Sequence, residues 1–105
     1  MRVIKYDKAV RDRIHEIIQA AGKECSVEQV SAHEFLDRLL VKLGEEAAEC
    51  QEKPCLEELA DIVEVVRALT GCLGHSWDEL ERVRGEKAAS RGAFEQRLVL
   101  KEVKE

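Results

Sequence analysis

Apolar residues recur every three or four positions along most of this chain, a spacing that predicts amphipathic helices. The most regular stripe follows Ser31, which forms a capping-box pattern with Glu34 and so predicts the start of a helix. Pro54 sets the latest point at which that helix ends. Its apolar stripe comprises Phe35, Leu36, Leu39, Leu40, Leu43, Ala47 and Cys50.

Three further helices are predicted from the same signals. The first is capped by Asp7, runs to about Ala21 and is ended by Gly22. The third covers about 56–73, and apolar residues occupy well over half of its circumference. Because a helix this apolar packs on more than one side, part of its surface is expected to meet a second subunit. The fourth starts at a second capping box, Ser76 with Glu79, and stops at Arg91-Gly92.

The segments between and beyond these helices are short. Residues 1–6 are predicted as an extended arm, residues 23–30 as a loop or short strand, and residues 94–103 as a short strand or extended tail. We therefore expect one all-α domain over residues 1–105, with about four helices forming a bundle completed by oligomerisation.

Composition narrows the class of protein. The chain is 45% hydrophobic and 37% charged, as is typical of amphipathic helices. No apolar run approaches the ~20 residues of a membrane span, and no secretory pattern opens the chain, so a cytoplasmic protein without a membrane is expected. The net charge of −5 argues against a general nucleic-acid binder.

The four cysteines show no C-x₂-C pair, so neither a zinc ribbon nor a thioredoxin-type site is indicated. Buried or spare thiols in a reducing compartment are expected, with a Cys50–Cys55 link across the Pro54 turn as the alternative.

Two carboxylate pairs stand on either side of that turn. Glu46 and Glu49 are three residues apart, as are Glu58 and Asp61, so each pair points in one direction from its helix. If the helices fold back antiparallel at Pro54, the four acids converge, and they repel one another and titrate upward unless a cation neutralises them. Oxygen ligands alone suit Mg²⁺, which normally serves bound phosphates. The alternative is an ordinary solvated acidic face.

Charge is distributed unevenly along the chain. Residues 42–64 are strongly acidic, whereas residues 1–13 and 82–101 are rich in Lys and Arg. An acidic centre with basic flanks fits a metal cluster that receives a polyanion, although solvated helix faces have the same appearance.

The acidic stretches resemble a known signature. Residues 42–49 (KLGEEAAE) followed by residues 58–61 (ELAD) resemble the E-E-x-x-E … E-x-x-D pattern of the MazG-like, all-α nucleoside triphosphate pyrophosphohydrolases. That superfamily also includes dimeric dUTPases and the phosphoribosyl-ATP pyrophosphohydrolase of histidine biosynthesis. Residues 6–14 (YDKAVRDRI) and 91–94 (RGAF) resemble its small single-domain branch, often labelled phosphoribosyl-ATP pyrophosphohydrolase-like.

This resemblance implies a homodimer, or a dimer of dimers, that hydrolyses a nucleoside triphosphate between its α- and β-phosphates. It implies that Glu46, Glu49, Glu58 and Asp61 bind Mg²⁺, with Mn²⁺ as a substitute. Glu45 is the candidate for orienting or deprotonating the attacking water, or else a solvent-facing acid of the signature. The candidates for phosphate contacts are Arg11, Arg13, Lys87, Arg91 and Arg97.

Two other functions fit the sequence. The histidine-pathway enzyme shares the same chemistry but acts on phosphoribosyl-ATP. A non-catalytic helical module would carry the acids as a solvated face and use the apolar third helix to bind a partner protein.

Overall fold

The computed structural model describes residues 2–105, and within them every regular element is an α-helix. The all-α prediction is therefore confirmed. None of the helices described is long and apolar enough to cross a membrane. The elements in order are α1 (Ile14–Ala20), α2 (Ala32–Glu52), α3 (Leu56–Cys72) and α4 (Trp77–Arg91).

The centre of the structure is an antiparallel hairpin of α2 and α3. Residues 53–55 connect the two helices, and Pro54 in this connection prevents α2 from continuing. Leu39 on α2 is buried with Val65 and Leu69 on α3, and Ala9 from the N-terminal part of the chain joins them. Partly buried apolar side chains surround this small core: Phe35, Leu36, Leu43, Ala68 and Cys72.

The predicted caps fix where α2 and α4 begin. Ser31 Oγ accepts a hydrogen bond from the backbone N–H of Glu34 at 3.2 Å. At α4 the bond is reciprocal, because Ser76 Oγ accepts from Glu79 N–H while the Glu79 carboxylate accepts from Ser76 N–H, each at 3.1 Å. Gly92 follows α4 with φ +85°, a conformation that favours glycine.

The predicted start of α1 was wrong. The helix begins at Ile14, and the residues before it run across α2 and α3 as irregular chain. We call residues 7–11 the strap. Asp7 has φ +50°, which is incompatible with a helix start there, and Ala9 is only 5% exposed. The strap therefore contributes to the core instead of adding two turns to α1. Of the predicted extended arm at 1–6, residue 1 lies outside the described residues.

The strand alternatives for residues 23–30 and 94–103 were wrong within the described chain. Both segments are irregular, and no strand lies beside them to accept a ladder of hydrogen bonds. In the second segment the apolar side chains are open to solvent, Phe94 being 96% exposed.

Helix α4 meets the hairpin at the end of α3. The guanidinium of Arg67 lies 4.8 Å from the ring centre of Trp77, and Leu80 and Val83 line a small cleft with Thr70. No residue of α4 is buried. The radius of gyration is 18.3 Å, whereas a compact domain of this length has about 13 Å. A single copy is thus an α2–α3 hairpin from which α4 extends, and a closed bundle stays a prediction for the oligomer.

Candidate metal centre

The acids predicted on α2 and α3 face one another across the hairpin. Glu46 comes from α2, and Glu58 and Asp61 come from successive turns of α3. One carboxylate oxygen of each lies within 4.8 Å of the other two. Because the connection at 53–55 is short, the register of the antiparallel pair places these turns opposite each other.

The fourth acid, Glu49, stands one turn further along α2. Its carboxylate acts on both Glu46 and Glu58, raising the pKa of each. The structure therefore brings three of the four predicted ligands together, and Glu49 lies near enough to Glu46 and Glu58 to affect their charge. Glu49 is exposed, whereas Glu46, Glu58 and Asp61 are partly buried.

Two oxygens of the cluster are buried and have no hydrogen-bond donor in the described chain. These are Oε2 of Glu46 and Oε2 of Glu58. The Glu46 side chain as a whole is only 12% exposed. A buried polar group without a hydrogen-bond partner destabilises the folded state, and more so when it carries charge. These two unpaired oxygens, and the repulsion between the clustered carboxylates, both destabilise the folded state at this position.

The pKa shifts of Glu46 and Glu58 also show that the charged forms of these carboxylates are unfavourable in the fold. Burial raises the pKa of Glu46, and the charges of Glu49 and Asp61 raise it further, while Lys42 opposes them from 3.8 Å. Burial likewise raises the pKa of Glu58, with Glu49 and Asp61 adding to the effect. Crowded carboxylates of this kind are protonated more readily unless a nearby positive charge neutralises them.

One predicted phosphate-binding residue lies at the cluster. Arg11 Nη2 donates to Asp61 Oδ1 at 2.8 Å, so the strap supplies a positive charge at the edge of the acids. Arg13 instead pairs with Glu16 at 2.9 Å, at the start of α1.

The remaining basic candidates are not brought to the acids within one copy. Lys87 and Arg91 lie on α4 and Arg97 follows it, all of them exposed. Over residues 2–105, no ion pair joins any of the three to the cluster.

Glu45 occupies a different position from its neighbour Glu46. Its Oε2 accepts from Lys8 Nζ at 3.1 Å, and its side chain is 35% exposed. Sequence reasoning missed Lys8, because 37 positions separate the two residues and no local pattern links them. A groove of about 360 Å³ runs beside the strap and includes Glu45 but none of the four clustered acids.

The donor set fits a hard divalent cation. All four groups are carboxylates, two of their oxygens are buried without a donor, and one oxygen from each of three of them lies within 4.8 Å of the other two. No protein-family model, curated protein or solved structure matches the chain. The geometry and the sequence pattern are therefore the basis for assigning a function.

Proposed function

We propose that this protein is a Mg²⁺-dependent nucleoside triphosphate pyrophosphohydrolase, which releases a nucleoside monophosphate and pyrophosphate. The observation that supports this proposal is the convergence of Glu46, Glu58 and Asp61, with two buried oxygens that lack donors. Carboxylate clusters of this kind hold Mg²⁺ together with substrate phosphates. The resemblance of residues 42–61 to the pyrophosphohydrolase signature selects the bond to be cut.

The four acids would hold the metal, with Mn²⁺ as a possible substitute. When bound, the ion supplies electrostatic stabilisation of the phosphate charge and lowers the pKa of the attacking water. The chain's own residues hold and orient the reactants. The buried Oε2 atoms of Glu46 and Glu58 would be joined by the more exposed carboxylates of Glu49 and Asp61.

Glu45 is the candidate general base. In the proposed hydrolysis, a water oxygen bonds to phosphorus, the α–β bridging bond breaks, and pyrophosphate departs with the bond's electron pair. The proton of the water passes to a carboxylate, and Glu45 directly precedes the proposed ligand Glu46 in the chain without belonging to the cluster. Lys8 holds one of its oxygens at 3.1 Å, which orients the group and leaves the other oxygen to accept the proton.

Oligomerisation is part of the proposal. The described copy exposes 9722 Å² of surface, whereas a folded monomer of this mass exposes about 6,000 Å². An apolar stripe on α3 remains uncovered, with Leu56 82%, Leu59 51% and Val63 47% exposed. A homodimer or tetramer that covers this stripe would complete the bundle and bring a partner's basic side chains toward the acids.

The cellular role proposed is removal of surplus or non-standard nucleotides in the cytoplasm, without a nucleic-acid or membrane partner. The histidine-pathway substrate, phosphoribosyl-ATP, would use the same site and the same bond cleavage. The exposed apolar stripe also favours a second function, a non-catalytic module that binds a partner protein.

Product analysis tests the proposal. Purified protein is incubated with ordinary, deoxy and modified nucleoside triphosphates and with phosphoribosyl-ATP, in the presence of Mg²⁺ or Mn²⁺, and products are separated by chromatography. The Glu49→Ala variant removes one proposed ligand. Glu52→Ala is the matched control, because Glu52 is an exposed acid at the end of the same helix.

We expect monophosphate and pyrophosphate from the wild type and from Glu52→Ala, with turnover lost by about 100-fold or more in Glu49→Ala. Turnover of phosphoribosyl-ATP alone would assign the histidine-pathway reaction. Absence of products from every substrate, together with no stabilisation by Mg²⁺, would reject the enzyme and favour the binding module, because a ligand of the folded state must stabilise it.

A further inference from the structure

The strap connects the two helices that carry the acids. Arg38 Nη1 on α2 donates to the Asp7 carbonyl at 2.7 Å and forms an ion pair with Asp7 Oδ1 at 2.8 Å, which fixes the strap at its beginning. Lys8 then pairs with Glu45 on α2, and Arg11 pairs with Asp61 on α3. Ala9, buried between these pairs, anchors the middle of the strap in the core.

Arg11 and a metal ion would compete for the same carboxylate. Arg11 Nη2 lies 2.8 Å from Asp61 Oδ1, and an oxygen of Asp61 is also one of the three that converge within 4.8 Å. A guanidinium held at one carboxylate oxygen lowers the negative charge available to a cation there. The strap therefore supplies the metal-free cluster with a counter-charge from its own chain.

The contact is weak enough to be exchanged. The Arg11 and Asp61 side chains are 53% and 41% exposed, and ion pairs open to water contribute little to stability. The rest of the strap has independent anchors at Asp7 and Ala9, so Arg11 is able to leave Asp61 without detaching residues 7–9. The expected movement is confined to the end of the strap beside the cluster.

We propose that the strap is a counter-ion latch: Arg11 holds Asp61 in the metal-free protein, leaves it when a divalent ion binds, and becomes free to contact the anionic ligand. The metal-dependent step rests on the proposed function. The closed latch does not, because it requires only the contacts within this chain. Arg11 is thus assigned as a binding residue that changes partner between Asp61 and the anionic ligand.

Nuclear magnetic resonance relaxation of the full-length protein tests the closed latch without metal. We expect the {¹H}–¹⁵N NOE values of Val10 and Arg11 to be near those of α2 in the wild type. They should fall in Asp61→Asn, which removes the charge that Arg11 contacts, and stay unchanged in Arg13→Gln. Equal values in the wild type and Asp61→Asn would overturn the latch whatever the protein's activity.

Calorimetric titration with Mg²⁺ tests the exchange. Arg11→Gln should bind Mg²⁺ tighter by roughly two- to fivefold, the factor that corresponds to losing one exposed ion pair as a competitor. Arg13→Gln should bind as the wild type does, because Arg13 precedes α1 and pairs with Glu16 in its first turn. Added Mg²⁺ should also lower the NOE values of residues 10 and 11 in the wild type.

The outcomes separate this inference from the proposed function. Mg²⁺ binding that is equal in the wild type and Arg11→Gln, with strap NOE values unchanged by the ion, would overturn the latch and leave the pyrophosphohydrolase standing. Absence of Mg²⁺ binding in all variants would overturn the metal-dependent exchange and the proposed function together.

Discussion

At the scale of single residues, Glu46 shows how a site opposes the stability of the fold that carries it. Its side chain is almost buried, and its Oε2 atom has no donor among the described residues. Burial and the neighbouring carboxylates raise its pKa. Stability alone favours an uncharged side chain at this position. A buried carboxylate beside three other acids is therefore consistent with the proposed metal site.

We expect Glu46→Gln to raise the stability of the metal-free protein and to abolish stabilisation by Mg²⁺. The amide carries no charge and is able to donate a hydrogen bond to Glu49. A gain of about 1 kcal/mol corresponds to a midpoint roughly 4–8 °C higher in a domain near this size. Thermal unfolding with and without Mg²⁺ measures both effects, with Glu52→Gln as the exposed control on α2.

The stability that Glu46→Gln gains over the wild type should decrease as the pH is lowered. Because the folded-state pKa of Glu46 is raised, the folded protein binds more protons than the unfolded chain, and its stability falls as pH rises through that pKa. The advantage of Glu46→Gln is therefore largest at neutral pH and shrinks on acidification. A stability difference between Glu46→Gln and the wild type that increased toward low pH would contradict a raised pKa for Glu46.

At the scale of elements, the sequence predicted those helices whose ends are set by residues close to them in the chain. The caps at Ser31 and Ser76 and the break at Pro54 gave three helices with close bounds, and carboxylate spacing placed the acids on the facing sides. The strap could not be predicted in this way. Its course depends on contacts such as that of Lys8 with Glu45, which no periodicity encodes.

The cap of α4 provides a test at this scale. Ser76 accepts from Glu79 N–H, and the Glu79 carboxylate returns a bond to Ser76 N–H, so Ser76→Ala removes one half of the capping box. We expect a loss of about 1 kcal/mol in the free energy of unfolding, measured by urea denaturation. Ser90→Ala, at an exposed position late in α4, should leave that free energy nearly unchanged.

At the scale of the whole molecule, the part of the site that sequence reasoning could not assemble is the basic part. Lys87, Arg91 and Arg97 carry charges that the proposed polyphosphate substrate would require. However, no residue of α4 is buried, and α4 and the residues after it extend away from the core. One copy also exposes far more surface than a folded monomer of its mass. Association with other copies of the chain would explain both the separation of the basic residues from the acids and the large exposed surface. In an oligomer, contacts with a second copy would set the positions of α4 and the residues after it.

The apolar stripe of α3 is where that explanation is tested. Val63 is 47% exposed and continues the row of Leu56 and Leu59, so a charge there would be buried in any interface that covers the stripe. We expect sedimentation equilibrium to show a dimer or tetramer for the wild type and a dissociation constant at least about 100-fold weaker for Val63→Lys. Glu64→Lys, an exposed position on the next residue, should keep the wild-type association. A wild type that sediments as a monomer at all concentrations would remove the oligomer from the proposal, and the extended arm of α4 would then have to be stable in water by its own caps and ion pairs.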